Sequence, residues 1–300
     1  MKLKYTMFLQ NVDDSITQLK LKHDFQIVSL NEPDSFEFIK KLEKCSISEA
    51  VRKIGIDSHV FNYDTRKIYL IEREFNLKNQ EIEESSKIAG KFHQEIGMQY
   101  LELLITALRL FNEGDLAYWN SYFYDPNKTS TFQSISNNLQ SRTILSKKYS
   151  FFPDEIEQCN TFINDFVTPK SDFLKLAIEH FNNSYFAVSL ESAFLSLMIS
   201  LEALYTKETR ELSFRLARNC AILLGTNCEN AQIIFDDMKK LYDKRSKLVH
   251  GSSNKITQED VYKCRDFVRC SIKKFIILKE KHDEFLNKLD TLGFGQPIEG

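Results

Sequence analysis

The hydrophobic pattern changes its period midway along the chain. In the first 150 residues the apolar positions come in short runs broken by polar and turn-forming residues. Phe25 to Leu30 reads as a strand, and His59 to Tyr63 with Lys67 to Arg73 reads as a hairpin around Asp64-Thr65. Glu81 to Asn112 carries Ile88, Phe92, Ile96, Leu103 and Ala107 at helical spacings, which predicts one long helix. Leu116 to Tyr124 and Thr129 to Ile135 predict a second hairpin, turned by Asp125-Pro126-Asn127. Its aromatics, Tyr118, Trp119, Tyr122, Phe123 and Tyr124, either fill a core or offer faces on which bases stack.

From Pro153 onward the pattern is helical only. Pro153-Asp154 opens one helix, and Pro169 lies near the first turn of the next. Phe186 to Tyr205 is apolar nearly all round, which predicts the centre of a bundle. Glu211 to Leu224 is closed by Gly225, and Ala231 to His250 by Gly251. Thr257 and Asp260 form a capping box for a last long helix, Gln258 to about Leu286, and Thr291 to Gly300 reads as a frayed tail. The chain is thus expected to be α+β, a mixed α/β domain over 1–150 followed by an all-α helical bundle over 151–290.

Within Phe186 to Tyr205, an advance of about 100° per residue puts Ser189, Ser192, Ser196 and Ser200 on one narrow stripe, where small side chains permit close helix approach. Glu191 and Glu202 share the opposite side. A buried carboxylate is costly unless paired, so at least one of them is expected to meet an arginine; the alternative is that this side faces water.

Composition narrows the class. A chain of 300 residues, 42% hydrophobic and 27% charged, is that of a globular protein, and the scarcity of Gly (9) and Pro (5) favours helices. The most apolar run is interrupted by Glu191 and Glu202, whereas a membrane span needs about 20 mostly apolar residues. The stretch Met1 to Asn11 lacks the apolar core of a signal peptide. Cys45, Cys159, Cys220, Cys228, Cys264 and Cys270 show no C-x-x-C pairing and do not cluster with the histidines. They read as reduced, mostly buried thiols of a cytoplasmic protein without a metal site. The net charge of −2 argues against coating nucleic acid at large, but residues 201–290 hold 18 Lys and Arg against 14 Asp and Glu. That excess is either the place where a polyanion binds or too small to matter.

Candidate chemistry centres on Ala231 to His250. Ile234, Met238, Leu241 and Leu248 form a core stripe, and Arg245 stands at its missing step. A guanidinium cannot shed its charge there, so it needs a carboxylate, a phosphate or water. His250 follows five residues later, in the last turn, where the helix dipole favours a cation and helps keep the imidazole partly protonated. Five residues amount to about 500° of rotation. The two side chains therefore diverge, and they meet on one target only if the helix end distorts or two copies face each other. Two such ends would suit cleavage of RNA by its own 2′-OH, with histidine moving protons and arginine stabilising charge on the phosphate. The R-x4–6-H spacing is weakly specific by itself, since Arg52 and His59 also satisfy it.

The segment LYDKRSKLVHG (Leu241 to Gly251) resembles the motif region of HEPN proteins, particularly the Apea-like group. SLESAFLSLMISLEALY (Ser189 to Tyr205) followed by ELSFRLARNCAILLG (Glu211 to Gly225) has the same order and look. The resemblance covers roughly the last 100–130 residues and none of the first 150. It implies a dimerising helical bundle with a metal-independent endoribonuclease site that needs no cofactor. Arg245 and His250 would be the catalytic pair and Ser246 an assisting group. Glu202 is expected to orient them, on burial grounds more than on the motif. Lys240, Lys244 and Lys247, with Lys239, either guide RNA or solvate an exposed face; Arg215 and Arg218 either contact phosphates or pair with the glutamates. The resemblance further implies a toxin or defence effector, a homodimer acting on RNA, restrained by its N-terminal domain or by a regulatory partner or antitoxin. Some members of the family have lost catalysis and serve as RNA- or protein-binding modules. A small-molecule enzyme sited in the first domain is the remaining alternative, but no glycine-rich phosphate loop, nucleophile elbow or metal-ligand cluster supports it.

Overall fold

The computed structural model describes residues 2–31, 34–35, 37–39, 67–76, 97–124, 131–135, 145–206, 211–251, 255–278 and 281–298. The chain is α+β, an antiparallel five-stranded sheet followed by a helical region. It divides into two compact units, Met1–Val167 and Thr168–Gly300. The division falls later than the 150/151 boundary drawn from the pattern, because the first helix after Pro153 belongs with the sheet.

In the first unit the strands are β1 (Lys2–Gln10), β2 (Gln26–Asn31), β3 (Lys67–Asn76), β4 (Ala117–Tyr124) and β5 (Thr131–Ile135), in the order β2-β3-β1-β4-β5. The central strand, β1, has no counterpart among the elements read from the pattern. Its residues Tyr5 to Gln10 are all buried, so both faces are covered and the alternation that marks a half-exposed strand is muted. Both edges of β3 are taken, by β1 and by β2. The hairpin partner drawn for it, His59 to Tyr63, lies outside the described residues, as do Asp64-Thr65, Asp125-Pro126-Asn127, Arg52 and Cys45. The second hairpin is present as β4 and β5. Its Tyr118 and Tyr122 are buried, and Tyr122 meets Phe8 edge-on, which is the core role of strand aromatics.

Helix α1 (Gly97–Phe111) falls within the span Glu81 to Asn112 read as one helix, of which residues 81–96 lie outside the described residues. The chain turns after it at Gly114, whose φ of +151° suits glycine alone and where a Cβ would lie 2.7 Å from the Tyr149 Cα. Helix α2 (Glu155–Asp165) completes this unit, and its buried Asn160 accepts the Lys20 N–H at 2.8 Å.

The second unit holds α3 (Asp172–Asn183), α4 (Leu190–Tyr205), α5 (Leu212–Leu224), α6 (Cys228–Val249), α7 (Gln258–Leu278) and α8 (His282–Thr291). Helix α4 is its centre, packed on α3 and α7. Ser200 Oγ donates to the Ala177 carbonyl of α3 at 2.8 Å, so that serine brings two helices close. Buried Tyr205 and Ser271 share a hydroxyl–hydroxyl bond of 2.6 Å between α4 and α7. The capping box forms, with Thr257 N–H donating to Asp260 (2.9 Å) and Asp260 N–H to Thr257 Oγ1 (3.2 Å).

Two expectations need correction. The last long helix ends at Leu278, and His282–Thr291 is a separate helix. Residues 292–298 after it are packed, not frayed: Phe294 packs on Phe235 (5.6 Å between ring centres), and Gly295 lies so close to α6 that a Cβ would be 2.7 Å from Cys228 N. Gly225 closes α5 as expected, its N–H donating to the Ala221 carbonyl, with a φ of −68°. A Cβ there would lie 2.6 Å from the Cβ of Ala231, so this glycine serves close helix approach. Gly251, with φ +74°, does take the left-handed form after α6.

Candidate functional site

Helix α6 starts at the Asn227 cap, whose side chain accepts the Asn230 N–H at 2.8 Å. Its buried stripe is Ala231, Ile234, Met238 and Leu241. Arg245 continues that stripe, half-buried, and its Nη2 reaches Glu202 of α4 at 3.2 Å to Oε1 and 3.5 Å to Oε2. The contact to Oε1 is an ion pair without hydrogen-bond alignment, and that buried oxygen has no hydrogen-bond partner. The guanidinium also lies 5.7 Å from the Tyr242 ring centre. Burial raises the Glu202 carboxyl pKa above its ordinary value, and Arg245 only partly opposes this.

His250 caps the helix. Its backbone N–H donates to the Ser246 carbonyl at 3.1 Å, and its side chain is exposed. Ser246 is half-buried. The structure therefore brings Arg245 and Glu202 together and leaves His250 facing solvent beyond them, as divergent directions on one helix require.

The basic candidates separate clearly. Lys244 is held by Asp260 through bonds of 2.6 and 2.7 Å, tying α6 to the start of α7. Lys240 lies 3.5 Å from Asp237, which Lys263 also engages at 3.0 Å. Lys247 is exposed and forms no ion pair with a described residue. Arg218 is committed elsewhere: its Nη1 donates to the Leu289 carbonyl at 2.9 Å and its Nη2 to that of Asp290 at 3.2 Å. It caps the C-terminus of α8, so neither the phosphate role nor pairing with the glutamates describes its place. Sequence reasoning had no signal for this, because the partners are more than seventy residues away.

Beside this end of α6, helix α4 shows an outward face of unusual composition. Ser192, Leu195, Ser196, Ile199, Glu202 and Ala203 fall within an arc of about 120°. Ile199, at its middle, is 39% exposed, while Ala193, Phe194, Leu197, Met198, Leu201 and Leu204 on the other side are buried. The open face mixes Leu195, Ile199 and Ala203 with Ser192, Ser196 and Glu202, whereas the packed face is apolar throughout. The open face leads to the Glu202–Arg245 pair, and Val249 at the end of α6 is exposed as well.

Among the described cysteines Cys159, Cys220 and Cys264 are buried, and burial pushes the first two thiols up to about 12. Among the described residues no group of three His, Cys, Asp or Glu side chains could hold a metal ion, and no helix is long and apolar enough to cross a membrane. No protein-family model, curated protein or solved structure matches the chain.

Proposed function

We propose that the helical unit is a HEPN-type, metal-independent endoribonuclease acting as a homodimer, a toxin or defence effector in the cytoplasm. The observation that carries this reading is one end of α6. There a charged arginine stands in a core stripe against a carboxylate, an exposed histidine ends the same helix, and the neighbouring helix offers an open face of small and apolar residues around Ile199. Two copies joined across the α4 face would bring two such helix ends into one cleft. His250 would exchange protons with the 2′-oxygen and the leaving 5′-oxygen, and Arg245, released in part from Glu202, would stabilise the crowded phosphate. Ser246 would assist from the turn between them, and Lys247 and Lys240 would draw in the RNA backbone.

A specific observation favours a second reading. Arg245 is already held by Glu202, which is what a module that binds RNA or protein without cleaving it would retain as a structural pair. One assay separates the two. The purified protein is incubated with structured and unstructured RNA in EDTA, beside Arg245→Ala and His250→Ala. Cleavage that persists in EDTA and falls by at least about 100-fold in both variants supports the nuclease. RNA binding or dimerisation without cleavage supports the module.

A further inference from the structure

One turn before Arg245 on α6 stands Tyr242, a residue to which the proposed cleavage gives no part. It is half-buried, and the Arg245 Cζ lies 5.7 Å from its ring centre. A helical side chain leans over the turn N-terminal to its own Cα, so Arg245 lies back over the turn that carries Tyr242. Viewed down α6, at about 100° per residue, Tyr242 falls about 60° from Arg245 and about 80° from His250. It thus sits inside the wedge of about 140° between the two side chains, a wedge it shares with Ser246 and Val249.

Glu202 of α4 completes the group. Arg245 Nη2 reaches its Oε1 at 3.2 Å and its Oε2 at 3.5 Å, and Oε1 is buried without a hydrogen-bond partner. Burial raises the Tyr242 pKa above its ordinary value, Glu202 raises it further and Arg245 opposes both. The phenol therefore keeps its proton at neutral pH, as a donor close to a carboxylate. Among the described residues no group accepts that proton.

Arg245 cannot serve two anions fully. To stabilise a crowded phosphate it turns part of its fork away from Glu202, and a half-buried carboxylate left unpaired is costly. We infer that Tyr242 is a positioning residue of this site: as Arg245 turns to the phosphate, the Tyr242 hydroxyl donates to the Glu202 carboxylate and keeps that charge paired. No proton is transferred; a hydrogen bond to an ionised acceptor replaces part of an ion pair. The bond forms only as the guanidinium leaves. It lowers the barrier without tightening RNA binding, so it acts on kcat and not on KM. The inference rests on the ribonuclease reading and names what frees its arginine.

The test follows RNA cleavage in EDTA by the full chain as wild type, Tyr242→Phe and His250→Ala, with thermal unfolding of each. Tyr242→Phe keeps the ring beside the guanidinium and removes the donor. It is expected to lower kcat about tenfold, the lower end of what a hydrogen bond to a charged group is worth, with KM and Tm unchanged. In a Glu202→Gln background the charge is gone, and Tyr242→Phe should then cost less than about twofold. Where Glu202→Gln itself does not cleave, Glu202→Asp draws the carboxylate back by one methylene, and the loss on Tyr242→Phe should shrink in the same sense. An unchanged kcat in Tyr242→Phe, or a fall in Tm with cleavage per folded molecule kept, overturns the role. So does an equal loss with and without the Glu202 carboxylate, because the hydroxyl then acts elsewhere. Absence of cleavage by wild type, or cleavage that His250→Ala does not reduce, is a separate failure: the ribonuclease reading falls, and the role of Tyr242 falls with it.

Discussion

Two carboxylates of the helical unit have opposite relations to pH, and single residues explain why. Burial is the larger influence on Glu202 and raises its pKa above 4.5, with Arg245 opposing. A folded pKa above the unfolded one means that the folded state holds its proton longer, so stability from this group is full below 4.5 and is lost as pH rises through the folded value. The pair with Arg245 is partly exposed, so Glu202→Gln is expected to change stability at neutral pH by less than about 1 kcal/mol while flattening that decline. Asp260 runs the other way. Burial would raise its pKa, but bonds from Lys244 and from Thr257 together lower it below 3.8. Its contribution is present above 3.8 and is lost as pH falls through the folded value. Asp260→Ala removes a helix cap as well as the pair, for a loss of about 1–2 kcal/mol at neutral pH. Urea unfolding of the two variants and wild type across a pH series reads both signs. Equal slopes for Glu202→Gln and wild type above pH 4.5 would contradict the first expectation.

At the scale of elements, α8 and the segment after it are anchored by one arginine. Arg218 on α5 spans the C-terminus of α8, where carbonyls lack intrahelical donors. Arg218→Ala should cost about 1–3 kcal/mol, the range for leaving hydrogen bonds to a charged group unmade. It should also loosen residues 282–298 first, seen as faster amide exchange there than in α4. The cleavage proposed for this unit is expected to stay unchanged per folded molecule, which a phosphate-binding role for Arg218 would not allow. The open face of α4 makes the complementary prediction. Ile199 is the large apolar side chain this face exposes most, at 39%, so Ile199→Asp should lower helicity and Tm little, while a homodimer through this face should become a monomer by light scattering. A dimer that survives Ile199→Asp places the contact elsewhere.

For the whole molecule, the helical pattern after Pro153 and the Thr257–Asp260 box were legible in the chain, because boxes and apolar stripes are local and repeat at helical period, whereas α6 starts three residues before the Ala231 read from the pattern, at the Asn227 cap. So was the need of Arg245 for a carboxylate, a phosphate or water, of which the structure supplies the carboxylate of Glu202. The central strand β1 was not legible, since a strand buried on both faces loses the alternation by which strands are read. Which cations were free was also beyond the chain alone. Lys244, Lys247 and Arg218 look alike in sequence, and tertiary contacts committed the first to Asp260, left the second in solvent and turned the third to the carbonyls of α8. The chain by itself determined helices, caps and the one charge that burial would not tolerate unpaired, because those follow from neighbours a turn away. Only the tertiary structure decided sheet order, the boundary after Val167 and the open side of α4, because these depend on which distant segments reach a surface first.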